Sequence, residues 1–419
     1  MDRLGEEAAR AAGDAGGRLG DEAMTEVLVN TTTLGLQHQP SVAHLSGSRF
    51  FVVWCDRSAG ADIKGKTVDA HGGSGGQEFL VNERTPPGAD TDRTAPVIIR
   101  SGTGFTVVWI ERAFTPPGPR PHVKMQRFDR DGRRTGPETQ VGTADADPGH
   151  RPGGTGMIDG GFLVTWADAD PRRRIRVQRF GLDGARAGPE FTANTTEGFH
   201  EFPIAQRLLN GDYVVMWRGD PAAVGGGAIT FRIFDLRGTP VTGEIRPNLS
   251  GFGGGKAMTV VDNGRIVTAH IRVIGKSDLG VTRGVVETNV FEPGGTDTRN
   301  GLTVSTGGGI ACWSPALAPL PGGRYLAAWI QKSAETFATT PSVRARIFSA
   351  GQLPLGAEVH ANTVPAEHRF DLTAAATFGE PGGDFAFLAW DDDSVVGGDT
   401  SDFGVRGRGL RIIEPGELV

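Results

Sequence analysis

The chain has little that would anchor it, cross-link it or give it charge of one sign. Among 419 residues there are only two cysteines, Cys55 and Cys312, too few for a disulfide framework. No apolar run is long enough to cross a bilayer. The start, Met1 to Met24, lacks the apolar stretch of a secretory signal. A cytoplasmic chain without a membrane partner is therefore expected. Acids and bases nearly balance, at 49 against 43, so no basic footprint marks a nucleic-acid partner.

What is present is glycine, 64 copies, set mostly between apolar runs. That is turn-rich all-β composition. The runs repeat one phrase, an apolar stretch that closes on tryptophan: Phe50–Trp54, Phe105–Trp109, Phe162–Trp166, Tyr213–Trp217, Tyr325–Trp329 and Ala386–Trp390, with Ile266–His270 as a variant. The closing residues fall at 54, 109, 166, 217, 270, 329 and 390, a period near 50 to 60 residues. A sustained period of this size marks an array of one structural unit.

Within a unit, four strand-like runs are separated by turn signals. In the third unit they are Gly156–Ile158, Phe162–Trp166, Ile175–Phe180 and Glu190–Asn194. Four short antiparallel strands per unit describe a propeller blade. The units begin near Pro40, Pro96, Pro152, Pro203, Lys256, Pro315 and Asp371. The expected fold is an all-β, seven-bladed β-propeller with four-stranded antiparallel blades. The seventh unit lacks the closing phrase seen in Glu78–Asn82 and Glu358–Asn362, and the missing copy is Glu26–Asn30. Residues 26–30 are therefore expected to complete blade seven, leaving no open sheet edge. Residues 1–23 are expected to be a flexible leader and residues 24–419 one domain.

The phrases Gly160–Trp166, Gln178-Arg179-Phe180 with Asp183-Gly184, and Glu190–Asn194 resemble the propeller repeats of large bacterial surface and haemolysin-type proteins. The resemblance spans residues 26–413 and rests on scaffold residues, so it implies fold rather than function. The chain is also similar to the propeller domain of the cyanobacterial Friedel–Crafts alkylating enzymes that build cylindrocyclophanes. Those enzymes add a calcium-binding N-terminal domain without a counterpart in this sequence. None of their catalytic motifs matches here.

In a propeller, the loops into the innermost strands share a face with the loops between second and third strands, and functional residues belong on such loops. Histidine recurs there: His38, His150, His200 and His368. Two readings stay open. Each polar side chain either bonds a neighbouring blade's backbone or contributes to a shared site for acid–base work. Acids follow the tryptophans at Asp56, Glu111, Asp168 and Asp391–Asp393, with bases such as Arg57 and Arg218 interleaved. Two pairs are the expected catalytic groups, His200 with Glu201 and His368 with Asp391. His38, Arg57, Glu111, His150, Asp168, Arg218, Trp313 and Arg369 are the expected substrate contacts.

No metal site or cofactor is expected. The loop Asp391–Asp402 offers oxygen ligands for calcium but not the EF-hand spacing. Gly253-Gly254-Gly255-Lys256 is glycine-rich without being a phosphate-binding loop. The tryptophans read as blade-to-blade core. His270 reads as drift of the repeat or as packing, and both thiols as buried and inert. The expected function is that of a monomeric, cytoplasmic bacterial enzyme tailoring a natural-product-like small molecule by cofactor-free cyclisation or alkylation. The alternative is a non-catalytic ligand-binding propeller, lectin-like or protein-binding.

Overall fold

Each repeated apolar phrase folds as the second strand of one of seven antiparallel sheets, because its alternate residues can bury both faces between neighbouring sheets. The computed structural model describes residues 18–20 and 24–413, except 74, 85–89, 103, 115–117, 119, 172, 220–228, 248, 250–251, 308–309, 337–338, 350, 378, 380–382 and 395–402. The first strands of successive blades contact one another around a closed ring and surround a channel. These innermost strands are Gln37–Ser46, Thr91–Ser101, Gly153–Gly156, Glu201–Arg207, Phe252–Val260, Ile310–Pro319 and Arg369–Ala376. In blade four the outer strand shrinks to the bridges Phe231–Ile245 and Phe234–Pro240. The third unit's first strand lies earlier than the sequence suggests. Met157 and Ile158 instead enter a turn closed by Met157 N donating to Gly161 O at 2.8 Å.

The tryptophans are scaffold, as expected. All six in the repeat are fully buried, and each packs on the preceding blade. Trp54 meets Phe387 and Ala389 of blade seven. Trp329 meets Val267, Ala269 and Ile271 of blade five.

The chain's start closes the ring. Val27 and Leu28 pair with Gly407 and Arg406 of the last strand, Gly404–Ile413. Outside it, Arg18–Leu19 pairs with Ile413 and Ile412, and Leu19 is buried against blade six. This strand falls within the span expected as a leader. The rest of that span, residues 1–17 and 21–23, lies outside the described residues.

The closing phrase Glu-x-x-x-Asn has a chemistry that its pattern alone did not reveal. Its asparagine caps the neighbouring strand: Asn30, Asn82, Asn194 and Asn362 accept the backbone N–H of Val405, Ile63, Ile175 and Val343 at 2.7–2.8 Å. Asn30 and Asn194 also sit in N-glycosylation acceptor patterns, but both side chains are spent on this scaffold role. Its glutamate reaches back to the preceding blade. Glu78 accepts from Thr31 N at 2.8 Å, Glu190 from Thr143 N at 2.8 Å, and Glu244 from Thr195 N at 2.5 Å. Glu26, supplied by the chain's start, accepts from Thr363 N and Val364 N of blade six at 2.5 and 2.9 Å.

These staples make the ring acid-sensitive. Burial alone would raise Glu78 and Glu244. Hydrogen bonds from Lys64, Thr32 and Thr31 outweigh it at Glu78, and donors of Thr195 and Thr196 outweigh it at Glu244, so both are held at about 2. Their contribution is complete above the ordinary value of 4.5 and is lost as pH falls through about 2. Tryptophan fluorescence should therefore report loosening as pH falls between these limits. The double change Glu78→Gln, Glu244→Gln should flatten that titration. An unchanged acid midpoint in the double variant would refute the staple role.

Candidate functional site

Six of the seven innermost strands bend at the same place. Gln39, Ala95, Phe202, Ser314 and Asp371 have φ of 58, 57, 52, 46 and 47°, and Gly255 has 55°. The register with the second strand slips there, as between His38 and Ser41 or between Glu201 and Ile204. Such a bulge re-aims side chains at a rim. A left-handed non-glycine residue costs about 1–3 kcal/mol, so surrounding packing must hold it. In blade three the ladder begins only at Gly153, beyond this position, and Arg151, the residue before Pro152, has no positive φ.

The bulge separates histidines that look equivalent in sequence. Counted back from the proline that follows the bend, His38 and His150 stand two residues before, but His200 stands three before. In a strand, one residue changes the face. The three-before position is a buried socket that binds backbone carbonyls. There Gln37 donates to Leu34 O at 2.7 Å, His200 to Thr196 O at 2.9 Å, and Arg369 to the carbonyls of Val364 and Pro341. His200 also sets its ring edge-on to Trp217, with centroids 6.2 Å apart. The structure thus does not bring His200 to its expected partner Glu201. His368 is exposed and pairs with Asp393 at 2.7 Å rather than with Asp391. Asp391 is buried and accepts Gln39 N at 3.1 Å. Burial and the neighbouring Asp371 push its carboxyl up. Trp313 donates to Arg369 O at 2.8 Å, which makes it a tie between blades six and seven.

The acids after the tryptophans are also engaged. Asp168 pairs with Arg176 at 2.8 Å, and Glu111 with Arg93 at 2.8 Å and Lys124 at 3.5 Å. In blade seven Asp392 accepts the indole N–H of Trp390 at 3.0 Å and pairs with Arg406 at 3.1 Å. These acids join second to third strands, and Glu111 also joins the first through Arg93. His38 takes a hydrogen bond from Arg57 at 3.3 Å, while Arg57 pairs with Asp92 at 2.9 Å. Burial and Arg57 lower His38 to about 4, so its imidazole is neutral.

One sector of the mouth concentrates the remaining predicted residues. His150 Nε2 lies 2.6 Å from Glu201 Oε2, with Arg173 at 3.4 Å and Arg218 in direct contact with the same carboxylate. The ring of Phe202, held in the bend, stands edge-on to His150 with centroids 4.4 Å apart. It also receives Lys256 Nζ at 4.6 Å and the Arg218 guanidinium at 5.6 Å. The buried imidazole–carboxylate pair of this sector is therefore His150–Glu201, with Asp147 at 3.3 Å from the other ring nitrogen.

Beside this cluster a chamber of about 450 Å³ opens in the channel, lined by Arg151, Phe202, Arg218 and Lys256 with Ser41, Gln206 and Thr373. Three of these lining groups are basic, and none is acidic. Lys256 is half-buried. Burial, with Arg218 nearby, holds its amine well below the ordinary value of 10.5. Burial and Arg173 lower Arg218 too. Sequence reasoning missed Lys256 as a site residue. Its signal was visible as the one basic residue where five units have proline. A larger hollow of about 770 Å³ lies at the opposite mouth, and Gln206 borders both spaces.

Both thiols are buried and free, and burial raises each to about 12. His270 is buried as well, and burial lowers it to about 4. Glu367, His368 and Asp393 bring three ligand atoms within 4.8 Å on the exposed rim. Residues 395–402 of the loop considered for calcium lie outside the described residues.

The chain matches no protein-family profile, haemolysin-type repeats included, and no curated protein sequence. Solved structures do match its shape. An ulvan lyase of polysaccharide lyase family PL25 shares 9% identity over 96% of either chain, with a TM-score of 0.53. A protein of unknown function from Dyadobacter fermentans DSM 18053 shares 11% over 92% of this chain and 98% of its own, at 0.52. Hadza microbial sialidase Hz136 shares 10% over 92% of this chain and 68% of its own, at 0.50. At identities this low the likeness is one of fold alone, and the seven blades are read from this chain's own sheets.

Proposed function

We propose that this propeller binds a small organic anion in the upper chamber of its channel and moves a proton on it without a cofactor. The observation that carries the proposal is the chamber wall, where Arg151, Arg218 and Lys256 converge on about 450 Å³ with no lining carboxylate. A cationic, partly dry cleft draws anions and strengthens each contact with them. Lys256 is the lining group whose amine burial, with Arg218 nearby, holds well below its ordinary value, which makes it the proton acceptor of this reading. The His150–Glu201 pair stands one residue behind the lining and fixes Arg218.

Cyclisation or alkylation of a natural-product-like molecule is the reaction class we assign. The apolar neighbours Val97, Ile98 and Ile204 support it, since they would hold the substrate's body. A monomer acting in a bacterial cytoplasm on a small molecule completes the proposal. No helix among the described residues is long and apolar enough to cross a membrane.

Titration calorimetry of the full chain with succinate and benzoate, against the neutral analogues succinamide and benzamide, checks the binding step. The acids should bind, the amides should not, and Lys256→Met or Arg151→Gln should each weaken binding on the order of tenfold. Equal binding of acids and amides, or no loss in either variant, would refute the site.

A non-catalytic binding protein is the second reading. It is favoured by Glu201, whose carboxylate is already occupied by His150, Arg173 and Arg218. Mass spectrometry of bound ligand recovered after incubation separates the two readings, because a pure binder returns it unchanged.

A further inference from the structure

Blade five breaks the repeat twice, and the two breaks face each other. Lys256 replaces the proline of the innermost strand and His270 replaces the tryptophan of the second, and the two are paired partners in the sheet. In blade one, by comparison, Ser41 pairs with Val53, which sets Pro40 opposite Trp54. A rule broken at two coupled positions of a regular array points to a selected site. The glycines before Lys256 include Gly255 in the left-handed bend, close against Pro315 of blade six.

The amine so placed differs from those of Lys64 and Lys124, and shares with buried Lys66, which donates to Val29 O at 3.0 Å, a backbone carbonyl as its hydrogen-bond partner, but Lys66 does not line the chamber. Lys64 lies within 3.2 Å of Asp56 and 2.7 Å of Glu78, and Lys124 lies 3.5 Å from both Glu111 and Glu138. No described carboxylate lies within ion-pair distance of Lys256. Its contacts are the Glu201 carbonyl at 3.4 Å and the face of Phe202 at 4.6 Å. An amine enclosed beside other cations and lacking an acid is poised as a nucleophile. Arg151 and Arg218 on the same wall supply planar donors for a carboxylate.

From this juxtaposition we infer that the Lys256 amine forms an imine with the carbonyl of a small oxo acid whose carboxylate is held by Arg151 and Arg218. The inference rests on the proposed anion chamber and names its substrate class. The amine lone pair forms the C–N bond as the carbonyl π bond opens onto oxygen. A proton passes from nitrogen to that oxygen, giving a carbinolamine. Expulsion of the hydroxyl with the remaining N–H proton releases one water and leaves the C=N bond. No oxidant or reductant takes part, and hydrolysis reverses the step.

Pyruvate with borohydride tests it on the full chain, since reduction makes the imine a stable secondary amine that peptide mass mapping can locate. Succinate, which has no ketone, and acetone, which has no carboxylate, are the control ligands. Lys256→Met and Lys256→Arg, with native tryptophan fluorescence, are the control variants, the second keeping the positive charge. The expected result is one adduct at Lys256 with pyruvate, none with acetone at the same concentration, and none in either variant. Lys64, Lys66, Lys124, Lys276 and Lys332 should remain unmodified. Adducts spread over these lysines, or equal labelling by acetone, would overturn the inference. If calorimetry shows that pyruvate and succinate bind but borohydride traps nothing, the imine is wrong and the anion chamber stands. If neither acid binds, the chamber itself fails, and the imine with it.

Discussion

Deletion of residues 1–30 should abolish the native fold, whereas deletion of 1–23 should cost only about 2 kcal/mol. The second change removes the Arg18–Leu19 pairing and exposes the surface that Leu19 covers. That loss is the size expected for one buried leucine side chain. The first change also removes the strand that completes the sheet of blade seven and staples it to blade six. Val29 is fully buried, and its N–H donates to Val405 O at 2.8 Å. Asn30 caps Val405 N at 2.7 Å, and Met24 O accepts from buried Arg408 at 2.9 Å. Glu26 staples blade seven to blade six through two backbone donors. Losing these together leaves the Gly404–Ile413 strand as an open edge and strands several buried polar groups, each costing about 1–3 kcal/mol. The sum is on the order of a domain's whole stability. Denaturant unfolding followed by tryptophan fluorescence measures both deletions. A 1–30 deletion that keeps the parent midpoint would show that the ring closes without its first strand.

Asp392→Ala should destabilise the fold by about 3–5 kcal/mol, the range for breaking a buried ion pair. The Asp392 carboxylate is fully buried and serves four partners. It accepts the Trp390 indole N–H at 3.0 Å and the Ser394 hydroxyl at 2.5 Å. It also pairs with Arg406 at 3.1 Å and with Arg369 at 3.4 Å. Alanine would leave two buried guanidinium groups without this carboxylate, next to an unpaired indole. Arg369 was an expected substrate contact. Its complete burial and its bonds to the Pro341 and Val364 carbonyls make it part of this hub instead. Asp393→Ala is the matched control, because its partner His368 is exposed and such pairs contribute at most about 1 kcal/mol. Equal thermal shifts for the two variants would remove Asp392 from its assigned role.

The fold was legible because its signal is long-range and redundant. Seven apolar phrases count the blades, and one displaced phrase at residues 26–30 locates the closure. The site was legible only as a region. His150, Glu201 and Arg218 do meet at the channel mouth, but the pairing of His200 with Glu201 could not be judged from sequence. The bend at Phe202 decides which neighbour faces the mouth, and a positive φ leaves no mark on a phenylalanine. Asp168 and Glu111 looked like rim acids because their partners, Arg176 and Lys124, lie on the next strand opposite the preceding tryptophan, a diagonal the sequence does not display. Lys256 was in view as a unit boundary. Its meaning depends on its register with His270 and on the cations that blades three and four bring beside it.

The central claim is that one sector of the mouth, whose charged groups come from blades three to five, forms a single site on an otherwise seven-fold scaffold. Hydrogen–deuterium exchange of the full chain with and without saturating pyruvate tests it most directly. Protection is predicted in the segments around residues 150–154, 201–206 and 255–258, with the inner strands of blades one, six and seven little changed. Equal protection of all seven inner strands, or protection confined to the opposite mouth around Ile158 and Leu209, would contradict it.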